Sequence, residues 1–271
     1  MFHMVFTRNE EARRGLIGAV LNIPVSEIKP VEVLNPIQYS EGFDTKITVL
    51  DLKVHLNSSR FVLVEMQVRR FDEWTNRTLV YGCRQVADQA QKDFDYGDLQ
   101  QVIQVSIMDY TLFPDHRRFF ARYEIQDQEG YPYTDKLKFY VMDLTAVSQA
   151  TEAEKQQGLV EWAEAFRADS LQEVKSIDNS AVKEAAETME GIMNNPAERE
   201  LLRMRVDALI DQRTQINSAR REGHAEGRME GTLNALSDLV RDGVLTMAEA
   251  ARRAGMSIAD FSARTGLPIL N

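Results

Sequence analysis

Apolar and polar positions alternate most cleanly over two short runs, Thr48 to Leu56 and Arg60 to Val68. In the first, Thr48, Leu50, Leu52, Val54 and Leu56 fall on one face, and Ile47, Val49, Asp51, Lys53 and His55 on the other. In the second, Val62, Val64, Met66 and Val68 alternate with Phe61, Leu63, Glu65 and Gln67. A period of two predicts strands. Asn57-Ser58-Ser59 between them is turn chemistry. The runs therefore predict a hairpin that brings Asp51 toward Glu65, with Glu65 and Gln67 pointing the same way.

Elsewhere the pattern is helical or mixed. Glu10 to Asn22 predicts a helix, with Asn9 as N-cap and an apolar stripe of Leu16, Ile17, Val20 and Leu21. Pro24 and Pro30 punctuate the chain before a short strand at Val31 to Val33. Residues 71–92 predict one long amphipathic helix or two short ones, and Asp95 to Asp98 a break. Val102 to Met108 reads as a buried strand, and Phe119 to Ile125 and Lys138 to Asp143 as further strands with a turn at Glu129-Gly130. This order predicts a mixed α/β core, a central mixed sheet flanked by helices, over residues 1–150.

From Thr151 to Leu245 the pattern is helical, interrupted at Asn194-Asn195-Pro196. Its charged part carries a thin apolar line (Leu201, Met204, Val206, Leu209, Ile216) too irregular for a coiled coil. A Glu-Gly repeat follows at Gly223, Gly227 and Gly231. Each glycine costs a helix about 0.5–1 kcal/mol against alanine, so the repeat calls for close helix packing or tolerates fraying. Thr246-x-x-Glu249 and Ser257-x-x-Asp260 are capping boxes that predict a short helical pair over 246–271, after an extension over 151–245.

Composition narrows the class. The 271 residues are 44% hydrophobic and 27% charged, enough for one sizeable core. No apolar run reaches the roughly 18 residues that span a bilayer. Met1 to Phe6 does not read as a signal peptide. A cytoplasmic protein with no membrane partner is expected. The single Cys83 excludes a disulfide framework and a cysteine zinc site. A net charge of −10 argues against a passive, basic nucleic-acid binder, so any DNA contact is local.

Asp51 and Glu65 are the candidate chemistry. Phosphodiester hydrolysis needs an activated water and charge relief on the phosphate, and Mg²⁺ held by one or two carboxylates supplies both. Glu65 lies inside the apolar run FVLVEMQV, where an unpaired carboxylate is costly. Many nucleases place a lysine two residues after the second acid. Here that position is Gln67, which can position water but carries no charge. Lys53 shares the face of Asp51 and is the candidate for the missing cation. The remaining candidates read as structural: Tyr81 and Arg84 as a helix-surface pair, Trp74 and Trp162 as core or rim, and His55, His116 and His224 without metal-ligand spacing.

The stretch LDLKVHLNSSRFVLVEMQ resembles the signature of the PD-(D/E)XK nuclease family transposases, relatives of the recombination-promoting nucleases. RNEEARRGLIGAVLNIP is similar to their first helix, and TLVYGCRQVADQAQKDFDYGDLQQVIQVSIMDYTLF to their helix, tyrosine-containing break and following strand. The Glu-Gly repeats and MAEAARRAGMSIADFSARTGL are similar to their C-termini. The resemblance implies a restriction-endonuclease-like sheet and an endonuclease using Mg²⁺ or Mn²⁺ on DNA. It implies Asp51 and Glu65 as metal ligands, Gln67 in the lysine position, and a first-helix acid, Glu10 or Glu11, completing the site, with Glu11 taken as that ligand. Recombination, mobile-element behaviour and defence against foreign DNA are all compatible with it.

Two other readings compete. Gln67 and the acidic balance permit a catalytically decayed nuclease fold acting as an interaction module, its C-terminal helices making a homo-oligomer. Thr246 to Leu267 also permits a small helix-turn-helix recruiting the chain to DNA, although its charge is modest.

Overall fold

The computed structural model describes residues 1–29, 31–34, 37–38, 48–49, 51–57, 59–90 and 94–268, with the backbone alone at 37–38, 48–49, 205–222 and 224–226. Pro30, Ile47, Leu50 and Ser58, invoked above, lie outside the described residues, as do the side chains of Thr48, Val49, Val206, Leu209, Ile216 and His224.

The described residues include the strands β1 (Glu32–Val33), β2 (Ile37–Gln38), β3 (Thr48–Val49), β4 (Leu52–Leu56), β5 (Arg60–Gln67), β6 (Gln101–Met108), β7 (Phe120–Gln126) and β8 (Pro132–Asp143). Six form a mixed sheet in the order β1-β4-β5-β6-β8-β7, and β2 and β3 pair separately. β5, β6 and β8 run parallel, and the other pairings are antiparallel. Parallel neighbours need a crossover, and helix α3 (Trp74–Ala87) supplies it between β5 and β6. The predicted run Thr48 to Leu56 is not one strand. Thr48–Val49 pairs with β2, Leu52–Leu56 pairs with β5, and Asp51 sits at a bend between them.

Each sheet face has its own cover. On one face Leu63, Val102 and Leu137 pack with Tyr81 of α3, and the Trp74 indole donates to Ser106 Oγ at 3.0 Å. A Cβ at Gly82 would lie 2.9 Å from Leu137 Cδ1, so glycine lets α3 approach the sheet. The other face, carrying Met66, meets helix α1 (Phe2–Arg8), which the sequence pattern did not predict. Helix α2 (Glu10–Leu21) follows as expected: the Asn9 side chain accepts from Ala12 N–H, and Asn22 ends it in the left-handed conformation. Arg13 joins these pieces, donating from its buried guanidinium to the carbonyls of Phe6 (2.8 Å) and Val31 (3.2 Å).

Helices α4 (Glu152–Gln156), α5 (Leu159–Arg167), α6 (Leu171–Ser176) and α7 (Ser180–Asn194) belong to the same compact unit, which spans Met1–Arg199. This compact unit runs to Arg199. The reason is visible at Gly15 of α2, where an added Cβ would lie 2.2 Å from Ala181 Cβ of α7. No alanine fits there without backbone movement. Gly15→Ala is expected to destabilise the unit by about 1–3 kcal/mol in urea denaturation; unchanged stability would mean that α7 is not held this closely.

The second unit, Glu200–Asn271, holds most of helix α8 (Pro196–Arg241) with α9 (Met247–Arg253) and α10 (Ile258–Thr265). Its core is Leu233, Leu236, Ala250, Ala251 and Phe261. Thr246 and Ser257 cap α9 and α10 as expected, accepting from Glu249 and Asp260 N–H. The repeat glycines 223, 227 and 231 have nothing described within 4 Å of an added Cβ, so they serve no close packing among the described residues.

Candidate active site

The register Leu52↔Val64 and Lys53↔Leu63 carries Asp51 to the level of Glu65, at the end of the sheet where β5 finishes and β4 begins. Asp51 is held twice. Its Oδ2 accepts from the Met66 N–H at 2.8 Å, and its carbonyl oxygen lies 2.6 Å from His3 Nδ1 of α1. A carbonyl only accepts, so Nδ1 is the donor. Burial pushes the Asp51 carboxyl above the usual range, with the Met66 hydrogen bond opposing.

Glu65 is 4% exposed. Its Oε1 lies 3.4 Å from Arg77 Nη2, and its Oε2 is buried with no hydrogen-bond partner among the described residues. Burial raises its pKa to about 7; Arg77 opposes this and the neighbouring Asp51 charge adds to it. Burial thus works against ionisation of both carboxyls, and a cation at this corner would relieve it.

The other predicted residues lie as follows. Gln67 is at the end of β5, its Nε2 donating to the Arg69 carbonyl at 3.0 Å. Lys53 shares the α3-facing side of the sheet, but its charged neighbour is Asp88 at the far end of α3, and burial lowers its pKa. Glu11 is exposed and paired with Arg14 at 3.2 Å; the structure does not bring it to Asp51 and Glu65. No group of three or more His, Cys, Asp or Glu able to hold a metal occurs among the described residues.

Two residues beside the pair were not predicted. His3 clasps Asp51 from α1, and Arg77 reaches Glu65 from α3. Arg77 shares a helix face with Trp74 and Tyr81 through i,i+3 and i,i+4 spacing, a signal readable in WTNRTLVY.

Residues 1–219 match the family model of the PD-(D/E)XK nuclease family transposases. The chain belongs to that family. No curated protein and no solved structure matches it. The mixed sheet flanked by helices is consistent with a PD-(D/E)XK nuclease fold, and membership points to a nuclease-like function. Such nucleases generally use divalent metals, and the residues present suit one. Asp51 and Glu65 offer hard oxygen donors, and Glu65 Oε2 is a buried carboxylate oxygen without a partner among the described residues. No described helix is long and apolar enough to cross a membrane.

Proposed function

We propose that this family member is a metal-dependent endonuclease that hydrolyses phosphodiester bonds in DNA. The observation that carries this reading is the partnerless, buried Oε2 of Glu65 beside Asp51. A carboxylate desolvated to that extent is expensive unless a cation completes it. Asp51 and Glu65 would hold Mg²⁺, or Mn²⁺ in its place, and the bound ion would supply charge relief on the phosphate and a more acidic water.

The chain's own residues do the positioning. Met66 N–H holds the Asp51 carboxylate through Oδ2 and His3 holds its main-chain carbonyl, so the carboxylate would be presented to an ion in a fixed orientation. Gln67 has its amide nitrogen engaged with Arg69, which leaves the carbonyl oxygen to accept from the attacking water. Lys53 faces Asp88, and a direct role in charge supply fits it poorly. Glu11 pairs with Arg14 and fits the inner coordination sphere no better. With one site per chain, double-strand cutting calls for two chains, and the C-terminal helices are candidates for that association. Recombination, mobile-element activity and defence against foreign DNA all fit such an enzyme.

The test is supercoiled plasmid with wild type and Asp51→Asn in Mg²⁺, Mn²⁺ and EDTA. Metal-dependent nicking or linearisation by wild type, lost in Asp51→Asn, is expected. Folded wild type that stays inert across salt and metal would favour the interaction-module reading. Equal cutting by both would place the site elsewhere.

A further inference from the structure

The site lacks a cation where many nucleases carry a lysine, because Gln67 occupies that position. We propose that Arg77 fills the role, donating its guanidinium to a non-bridging oxygen of the scissile phosphate. This rests on the nuclease reading above.

The geometry of Arg77 carries the inference. Its guanidinium carbon lies 5.2 Å from the Tyr81 ring centroid, 5.6 Å from Trp74 and 5.9 Å from Phe71. Trp74 is itself fixed by Ser106. Aromatic faces attract a guanidinium without using its N–H donors, so the cage confines the charge and leaves the terminal Nη donors unspent, while Nε is buried.

The contact with Glu65 does not consume them. At 3.4 Å it is longer than the roughly 2.7–2.9 Å of a strong charge-assisted bond, and it reaches only one carboxylate oxygen. Glu65 Oε2 and Arg77 Nε, both buried, have no hydrogen-bond partner among the described residues. A pair built for mutual neutralisation would close into the two-pronged geometry that arginine and carboxylate favour. This pair holds apart, with 38% of the Arg77 side chain exposed. A buried acid reserved for an ion and a caged cation open to solvent on its flank match a phosphate bridging the two.

The chemistry balances without proton transfer at Arg77. One water is consumed: it gives a proton to solvent as its oxygen bonds to phosphorus, the bond to the leaving oxygen breaks, and solvent protonates the leaving group. The guanidinium keeps its protons and meets the negative charge that builds on the phosphate oxygens. Removing one such donor typically costs about 10²–10³-fold in rate.

The experiment compares wild type, Arg77→Gln and Arg77→Lys. It reads single-turnover cleavage of a duplex, Mn²⁺ affinity of the DNA-free protein by electron paramagnetic resonance, and thermal melting. Arg77→Gln is expected to slow cleavage by about 10²-fold or more while Mn²⁺ affinity stays within about threefold. Arg77→Lys, which keeps charge but not the planar fork, is expected to fall between and remains informative if the glutamine variant does not fold. A Mn²⁺ affinity that falls in step with the rate would overturn the proposal, because Arg77 would then only support Glu65. Wild-type rates in a folded Arg77→Gln overturn it while leaving the nuclease reading intact. Inert, folded wild type overturns both.

Discussion

Glu65→Gln is expected to abolish cleavage and, in metal-free solution at pH 8, to stabilise the fold by about 3 kcal/mol. The carboxyl's pKa rises from 4.5 to about 7 on folding, and at roughly 1.4 kcal/mol per unit this gives the figure. The sign follows from linkage. The folded state binds the proton more tightly than the unfolded chain, so the group's stabilising contribution is full below pH 4.5. It is lost as pH rises through 7. Burial at 4% exposure means that little solvent screening reduces it. Glutamine keeps the shape and removes the ionisation. Asp51 is raised by burial in the same direction, so a smaller slope with pH should survive in the variant. Urea denaturation at pH 5.5 and pH 8 in EDTA, for both proteins, checks this. Identical pH slopes would show that Glu65 is not held in a poorly solvated corner. Metal-dependent cutting that persists in Glu65→Gln would remove it from the site. The combination, greater stability with lost activity, marks a residue retained for function at a cost to the fold.

Glu65 was legible in the sequence because one acid in FVLVEMQV breaks an apolar pattern that burial otherwise explains. The hairpin register was legible for the same reason: a one-residue slip would turn Leu52, Val54 and Leu56 away from their core, where each is fully buried. Local chemistry also placed the N-caps at Asn9, Thr246 and Ser257, the helix break at Asn195 and the hairpin turn at Gly130, whose φ is +92°. Charges at the site were harder to place, because a cation's partner depends on packing several elements away. Lys53 shares the predicted face, yet α3 runs back along the sheet and presents Asp88 to it. The same reversal brings Arg77, twelve residues beyond Glu65, back onto it. Alternation along Thr48 to Leu56 concealed the bend at Asp51, since period two is kept on either side of it. Met1 to Phe6 was too short to show a helical period, although Met4, Val5 and Phe6 are buried in α1.

Trp162→Ala is expected to cost about 3–5 kcal/mol, a large fraction of the roughly 5–15 kcal/mol that holds a typical domain together. The indole is 1% exposed. It stacks on Phe166 at 5.9 Å and packs on Phe6 at 5.6 Å, and its Cζ2 would lie 3.4 Å from a Cβ on Gly15. One side chain of α5 therefore touches both α1 and α2. It also borders a half-open pocket of about 340 Å³ lined by Phe2, Val5, Phe6 and Met66, so truncation would extend that pocket into the core and leave its lining without packing partners. The consequence reaches the site through Phe6. Loosening α1 releases His3, the residue clasping the Asp51 carbonyl, while α3 and its hold on Glu65 lie on the opposite face. Hydrogen exchange should then quicken in α1 more than in α3, and cleavage should fall at temperatures where the variant is still folded. Trp162→Phe, which keeps a ring between Phe6 and Phe166, should recover much of both losses. Wild-type melting of Trp162→Ala would mean that the helices after residue 150 do not belong to the core, and uniform exchange in α1 and α3 would uncouple that packing from Asp51.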